Sequence, residues 1–266
     1  MPIFAPFSYL NNPPLPPAPT WDPSDFTNVQ YWWRADLGVT TTGTGVSNWV
    51  DQINGLDITQ TTDANRPSLI TSEATLNNQA AISFNGTSDW LSSKTSPAAV
   101  NNTDVSVLNV WRVTSTDPGG GVIFGYSGIG AYAGRYFLDY ATLGKLRNYT
   151  QWAAAASATI IEDPFSTGNQ SYYWNYDTSA GNEVYAYNTL STTSKVSGGL
   201  TGRTNNQNLV VAVGATINNV TSQSVFSGRY VEVVSAENVV IYGTPTTQEL
   251  NDWKSYVNTR YGTIIS

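Results

Sequence analysis

Short apolar runs separated by turn-forming residues dominate the chain between about residues 25 and 242. The runs are rich in Val, Ile, Tyr, Phe and Trp, and Gly, Asn, Thr and Asp cluster between them, which is typical of β-strands and their turns. Together they predict an all-β fold, a two-sheet antiparallel jelly-roll sandwich of eight to twelve strands. The predicted strands include residues 80–84, 105–113, 122–126, 136–140, 172–176, 183–187, 209–215, 230–234 and 239–242.

The spacing of apolar residues within a run predicts which faces of a strand are covered. In runs 105–113 and 209–215 the apolar residues barely alternate, which predicts central strands covered on both faces. Run 183–187 alternates strictly, with Val184 and Ala186 on one face and Glu183, Tyr185 and Tyr187 on the other. That pattern predicts a sheet with one covered face and an aromatic outer face.

One helix is predicted at the end of the chain. Residues 246–249, Thr-Thr-Gln-Glu, read as a capping box after the helix-breaking Pro245. Leu250, Trp253 and Val257 then share one helical face, and Gly262 is a natural stop.

The N-terminal segment differs in composition from the rest. Eight of the 13 prolines lie within residues 1–23, which predicts an extended, Pro-rich N-terminal arm over residues 1–24 ahead of one domain over 25–266. A disordered leader is the alternative, but such segments are usually poor in aromatic residues. We therefore interpret the apolar tip as a docking arm for a partner. Its residues are Ile3, Phe4, Phe7, Tyr9 and Leu10.

Composition excludes several kinds of chemistry. The 266 residues contain no His and no Cys, so Ser-His-Asp and Cys-His nucleophile systems, Cys/His zinc sites and disulfides are impossible. The formal net charge is −7, with 12 Lys+Arg against 19 Asp+Glu, which speaks against nucleic-acid binding. No apolar stretch is long enough to cross a bilayer, so membrane insertion is not expected. We expect no cofactor.

Several segments together resemble the concanavalin A-like (laminin G-like) lectin/glucanase domains found in phage structural and bacterial surface proteins. They include residues 31–39 (YWWRADLGV), 46–52 (VSNWVDQ), 80–91 (AAISFNGTSDWL) and 226–233 (FSGRYVEV). The resemblance spans about residues 28–262 and implies a jelly-roll domain. It says little about activity, because lectins, enzymes and inert structural modules share this fold.

A glycoside hydrolase on this fold would use a pair of carboxylates. Related glucanases carry Glu-x-Asp-x-x-Glu on one strand, and this chain has no such motif. Glu232 and Glu237 are five residues apart, so simple alternation places them on opposite faces, with a strand break expected near residues 235–236. We therefore predict no catalytic residue and no enzyme. Loop acids such as Asp57, Asp63, Asp89 and Asp177 could bind Ca²⁺, but no metal ligand is assigned.

Sugar binding has more support, because aromatic faces stack on sugar rings and neighbouring polar groups bind the hydroxyls. We expect glycan contacts from two aromatic clusters, unless their aromatic residues pack in the core or at a subunit interface. The glycan-binding candidates are Trp152, Tyr172, Trp174, Tyr176, Asn148 and Asp139.

These observations favour a non-enzymatic virion component, such as a phage capsid decoration, head-fibre or tail protein. Its arm would bind other virion proteins, and its lectin-like domain, as a homo-oligomer, would bind cell-surface glycans. We expect assembly in the host cytoplasm and a location on the virion. The alternative is an extracellular carbohydrate-binding module or glycoside hydrolase acting on a polysaccharide.

Overall fold

The computed structural model describes residues 21–98, 104–113, 115, 120–127, 135–142, 145–151, 158–164, 167–177, 182–196, 209–218 and 223–266. At residue 127, within residues 135–164, and in parts of 176–196 and 223–227, only the backbone is described. The docking-arm residues Ile3, Phe4, Phe7, Tyr9 and Leu10 therefore lie outside the described part of the chain. No helix in that part is long and apolar enough to span a membrane.

Two large antiparallel sheets form the protein, which confirms the predicted all-β sandwich. The first half of the chain contributes β1 (Val29–Arg34), β2 (Val39–Thr42), β3 (Gly45–Trp49), β4 (Ile58–Thr59), β5 (Ser68–Glu73), β6 (Gln79–Asn85), β7 (Leu91–Ser93), β8 (Val105–Val113) and β9 (Val122–Ser127). The second half contributes β10 (Arg135–Thr142), β11 (Lys145–Gln151), β12 (Ala158–Pro164), β13 (Gly168–Asp177), β14 (Asn182–Tyr187), β15 (Thr193–Val196), β16 (Val210–Val213), β17 (Ala215–Ile217), β18 (Val225–Tyr230) and β19 (Glu232–Ile241). The helix α1 (Thr247–Tyr261) follows.

Strand order divides these elements into two layers and a small ribbon. The eight-stranded sheet runs β15-β14-β13-β8-β19-β6-β5, with β1 also paired to β19. The nine-stranded sheet runs β12-β11-β10-β9-β16-β7-β4-β3-β2, and β17 pairs with β18. Every described strand pair is antiparallel, as in a β-sandwich.

A large apolar core fills the space between the two sheets. It includes Trp33, Trp111 and Val240 from the eight-stranded sheet, and Trp49, Leu91, Phe124 and Val211 from the nine-stranded sheet. A second core lies on the outer face of the eight-stranded sheet, where α1 covers Trp32, Leu108, Val110, Val239 and Ile241. Strand β8 lies between these two cores, so both of its faces are apolar. This agrees with the prediction from the sequence that run 105–113 is a central strand covered on both faces.

Helix α1 begins and ends where the sequence predicts. The Thr246 hydroxyl accepts a hydrogen bond from the Glu249 N–H, and the Glu249 carboxylate accepts one from the Thr246 N–H. Trp253, Tyr256, Val257 and Tyr261 point into the second core. The aromatic ring of Trp21, which the sequence analysis places in the arm, packs against Phe26 and against Tyr256 of α1.

Strand β19 is continuous across the break predicted near residues 235–236. A β-bulge lies between Ser235 and Glu237, where the register against β8 shifts. Ala236 and Glu237 both contact the helix side, so the alternation of faces shifts by one residue at the bulge. The expectation that Glu232 and Glu237 point to opposite faces assumed unbroken alternation and is therefore wrong.

Candidate functional site

An open cleft of about 440 Å³ lies at one end of the sandwich. Three segments form it: the start of β1, the loop between β3 and β4, and the residues that follow β7. Its lining consists of Gln30, Tyr31, Asn54, Gly55, Leu56, Thr95, Ser96 and Ala98. Side-chain amides and hydroxyls predominate, and none of these eight residues carries a charge.

The carboxylate of Asp51 folds the loop between β3 and β4 into one wall of the cleft. Its Oδ1 accepts hydrogen bonds from the N–H groups of Trp32 (2.8 Å) and Ile53 (3.1 Å). Its Oδ2 accepts hydrogen bonds from the N–H groups of Asn54 (2.9 Å) and Leu56 (3.0 Å). Because these donors come from β1 and from the loop itself, Asp51 fixes the loop against the sheet.

Two lining residues add further anchors to this wall. The side-chain Nδ2 of Asn54 donates a 2.8 Å hydrogen bond to the Gln30 carbonyl, which ties the tip of the loop to β1. Gly55 has a φ of +73°, in the left-handed region that glycine adopts without strain. The loop is therefore held in one conformation while its tip remains exposed.

Two tyrosines hold the opposite wall. The Ala98 N–H donates a 2.7 Å hydrogen bond to the Tyr31 hydroxyl, and the Tyr242 hydroxyl donates one of 2.6 Å to the Ala98 carbonyl. The hydroxyls of Tyr242 and Tyr126 are 3.2 Å apart and share a further hydrogen bond. Burial raises the pKa of both Tyr31 and Tyr242, so these hydroxyls stay protonated at neutral pH and can act as donors.

The most buried carboxylate of the described residues lies away from the cleft, under α1. Glu237 is 0% exposed. Its carboxylate accepts hydrogen bonds from Trp32 Nε1 (2.6 Å) and from the hydroxyls of Tyr256 (2.9 Å) and Tyr261 (2.7 Å). Burial raises the pKa of the Glu237 carboxyl. This buried network joins the helix to the sheet.

The other acids considered in the sequence also have structural partners where their side chains are described. Arg34 and Asp36 form an ion pair of 2.7 Å, and Asp36 is also paired with Arg260 at 2.6 Å. Asp63 is paired with Arg66, and Asp89 accepts a hydrogen bond from the Asn85 N–H. The described residues contain no group of three or more acids arranged to hold a metal ion. The side chain of Asp177 is outside the described set.

Two of the predicted glycan-binding residues are buried between the sheets. Tyr172 and Trp174 lie on β13 and are each 2% exposed, packed in the core between the sheets. They are buried because the nine-stranded sheet covers the face that run 172–176 presents. The backbones of Asp139 and Asn148 lie on β10 and β11, in the other sheet, while Tyr176 lies on β13. The side chains of Asp139, Asn148 and Tyr176, and all of Trp152, lie outside the described residues.

Sequence reasoning missed the cleft because its residues come from three separate segments. The pair Asn54-Gly55 could have indicated the turn that forms one wall of the cleft, since Asn-Gly is a strong turn dipeptide. The preceding Asp51 is a short acid that can accept hydrogen bonds from the N–H groups of such a turn. Neither residue indicated that Thr95 and Ser96 would face the same opening.

The structure is similar in fold to several solved proteins. An arabinofuranosidase in complex with arabinofuranosyl-alpha-1,2-xylobiose matches with a TM-score of 0.58 and 14% identity over 91% of this chain and 60% of its own. A Trypanosoma rangeli sialidase in complex with 2,3-difluorosialic acid matches with a TM-score of 0.54 and 11% identity over 88% of this chain and 33% of its own. The binding domain of botulinum neurotoxin serotype D/C matches with a TM-score of 0.56 and 7% identity over 86% of this chain and 52% of its own.

These matches show a shared β-sandwich fold at low sequence identity. The chain spans only about one third to three fifths of the length of these three proteins. No protein-family model and no curated protein matches the sequence.

These structural matches require one prediction to be corrected. The expectation that the protein is not an enzyme is wrong, because two of the three structures described above, the arabinofuranosidase and the sialidase, are glycosidases. The missing Glu-x-Asp-x-x-Glu motif therefore excludes only one arrangement of catalytic carboxylates. The protein has a β-sandwich fold that it shares with sugar-active proteins.

Proposed function

We propose that the domain binds an uncharged carbohydrate in the cleft between the Asp51–Leu56 loop and residues 95–98. The observation that carries this proposal is the lining itself: the opening of about 440 Å³ has amide and hydroxyl groups, and none of its described lining residues is charged. Amides and hydroxyls both donate and accept hydrogen bonds, which suits sugar hydroxyls. The volume lies within the range of small-molecule sites.

The absence of charge from the lining selects the class of sugar. Carboxylate-bearing sugars are usually bound by Arg or Lys, which pair with the acid group. None of the described residues that line the cleft is Arg or Lys, and the carboxylate of Asp51 lies directly beneath its loop. Neutral pentoses and hexoses therefore fit the cleft better than uronic or sialic acids do.

The proteins that share the fold support carbohydrate binding as the general class of function. The matched arabinofuranosidase is in complex with an arabinofuranosyl xylobiose, and the matched sialidase with a sialic acid derivative. Their low identity limits this support to the fold. The finer assignment of a concanavalin A-like, jelly-roll class is part of this proposal, and it rests on the segments that include residues 31–39 and 80–91.

A glycan array followed by calorimetry tests this function. We expect binding to a neutral glycan, and an affinity at least about tenfold lower for the double variant Asn54→Ala/Ser96→Ala, since each lost hydrogen bond contributes about 1 kcal/mol. The matched control is Asn251→Ala/Ser255→Ala, which changes two exposed residues of α1. Equal affinity of both variants would remove the cleft as the site. Release of reducing sugar in the same samples measures whether the bound glycan is also cleaved.

The setting of the domain is a second proposal, carried by the Pro-rich segment. We propose that the arm attaches the domain to a virion, where a homo-oligomer presents the cleft to cell-surface glycans; secretion as an extracellular module is the alternative. Removal of residues 1–20, which keeps Trp21 against Tyr256, should leave folding and glycan binding intact and abolish incorporation into particles. Normal incorporation of the shortened chain would contradict this proposal.

A further inference from the structure

The chain contains two Asn-Gly pairs, Asn54-Gly55 and Asn85-Gly86. The folded structure restrains their side chains to different extents. In such a pair the glycine nitrogen can attack the Asn side-chain carbon. An N–Cγ bond forms, the Cγ–Nδ2 bond breaks, and Nδ2 leaves as ammonia with the proton of the glycine nitrogen. Water then opens the succinimide ring at one of its two C–N bonds and leaves aspartate or isoaspartate.

Asp51 holds the backbone N–H groups of Asn54 and Leu56, but the Asn54 side chain and the Gly55 nitrogen between them keep the freedom that this reaction needs. Both residues are exposed, and no atom of the described residues lies within 4 Å of the position where a Gly55 Cβ would be. The Gly55 N–H donates no hydrogen bond within the described structure, so its nitrogen is available to attack. Among the described residues, one hydrogen bond holds the Asn54 side chain, from its Nδ2 to the Gln30 carbonyl.

Asn85-Gly86 is restrained at both residues. The Asn85 Oδ1 accepts hydrogen bonds from the N–H groups of Thr87 (2.9 Å), Ser88 (2.9 Å) and Asp89 (3.2 Å). The Asn85 Nδ2 donates a 2.9 Å hydrogen bond to the Ser88 hydroxyl. Gly86 packs against Glu232, whose Cβ and backbone nitrogen are 3.0 Å from the position of a Gly86 Cβ. Rotation of the Asn85 amide toward the Gly86 nitrogen would break all four hydrogen bonds.

We infer that Asn54 is a site of spontaneous deamidation in the folded protein and that Asn85 is protected from it. The reaction puts a carboxylate into the wall of the cleft beside Asp51, and it removes the hydrogen bond to the Gln30 carbonyl. The isoaspartate product also lengthens the backbone between the N–H groups that Asp51 binds. Deamidation at Asn54 therefore changes the charge and the shape of the cleft with the age of the protein.

Peptide mass spectrometry of the full-length protein, incubated at mildly alkaline pH, tests this inference. In the folded protein we expect Asn54 to convert at least about tenfold faster than Asn85. The reason is that four hydrogen bonds restrain the Asn85 side chain and one restrains the Asn54 side chain. In denaturant the two pairs should convert at similar rates, which is the matched control. Asn54→Gln should remove the modification, since glutamine forms the corresponding ring far more slowly.

Two results would overturn the inference. One is an Asn54 that keeps its amide in the folded protein while the denatured chain converts. The other is an Asn85 that converts in the folded state as fast as Asn54. Both readings are independent of any ligand, so they stand whether or not the cleft binds a carbohydrate.

Discussion

The Tyr261 hydroxyl donates a 2.7 Å hydrogen bond to Oε2 of Glu237, and this contact joins the end of the C-terminal helix to a central strand. The Tyr256 hydroxyl donates to the same carboxylate and accepts a 3.1 Å hydrogen bond from Arg34. The bulge at Ala236 makes both contacts possible, since it places Glu237 on the helix side of β19. The carboxylate therefore serves as the polar centre of an otherwise apolar interface.

We expect Tyr261→Phe to lower the free energy of unfolding by about 1–3 kcal/mol, because a buried carboxylate oxygen loses a donor. Urea unfolding measures this loss. The control is Ser255→Ala on the exposed side of α1, which should change stability by less than about 0.5 kcal/mol. Equal effects of the two substitutions would show that the network does not hold the helix.

The same carboxyl group gives the protein a characteristic dependence of stability on pH. Burial raises the pKa of Glu237 above its ordinary value of 4.5, so the folded state binds this proton more tightly than the unfolded state. Its contribution to stability is fully present below about pH 4.5 and is lost as the pH rises through the folded pKa. The Glu237→Gln variant has no titratable group at this position, so its stability does not fall in this way as the pH rises.

We therefore expect the difference in stability between the wild type and Glu237→Gln to be largest at acid pH and to shrink as the pH rises. The pKa of Glu249 is shifted in the opposite direction. It is partly buried, but the N–H groups of Thr27 and Thr246 hold its pKa below 4.5, so its contribution is lost on acidification. Chemical unfolding across a pH series separates the two, with Glu249→Gln as the control. A stability difference for Glu237→Gln that grows with pH would contradict the assignment.

Much of the fold follows from the apolar pattern, because strand periodicity and helix capping are local properties. Run 105–113 coincides with β8, and the capping box at Thr246 begins α1. Run 209–215 is divided at Gly214, whose φ is +86° and where a Cβ would lie 2.3 Å from the Phe84 ring. That division depends on a contact with a distant strand, which the sequence does not display.

The candidate site was less predictable for the same physical reason. Alternation correctly gives Tyr172 and Trp174 a common face, but it does not tell whether a second sheet covers that face. The cleft assembles Gln30, Asn54 and Ser96 from segments that meet only in the folded protein. The aromatic-rich run 172–176 therefore contributes Tyr172 and Trp174 to the core, whereas loops at the end of the sandwich form the candidate cleft.

The Asp51 carboxylate should control the shape of the cleft as well as stability. In Asp51→Asn the amide nitrogen cannot accept, so two of the four backbone N–H groups lose their partner, and we expect a loss of about 2–4 kcal/mol. Thermal or urea unfolding gives the loss, and glycan affinity should fall with it. Asp57→Asn is the graded control, because within the described part of the chain Asp57 accepts one backbone N–H, from Asp51. A smaller effect at residue 51 than at residue 57 would contradict this account of the loop.

The Tyr242 hydroxyl should position the opposite wall. Tyr242→Phe removes the hydrogen bond to the Ala98 carbonyl, so residues 95–98 keep the Tyr31 contact to the Ala98 N–H but are held less firmly. We expect faster amide hydrogen exchange over residues 93–98, a glycan affinity lower by about threefold to tenfold, and a stability loss near 1 kcal/mol.

The matched control for this prediction is another buried tyrosine. Tyr173 has a hydrogen bond with Ser106, and burial raises its pKa to about 12. Tyr173→Phe loses a comparable hydrogen bond on the helix side of the sheet, so it should reduce stability similarly while exchange at residues 93–98 and glycan affinity stay unchanged. If both substitutions lower affinity equally, the effect of Tyr242 is general destabilisation. If only Tyr242→Phe speeds exchange and weakens binding, the hydroxyl pair of Tyr31 and Tyr242 sets the geometry of the cleft.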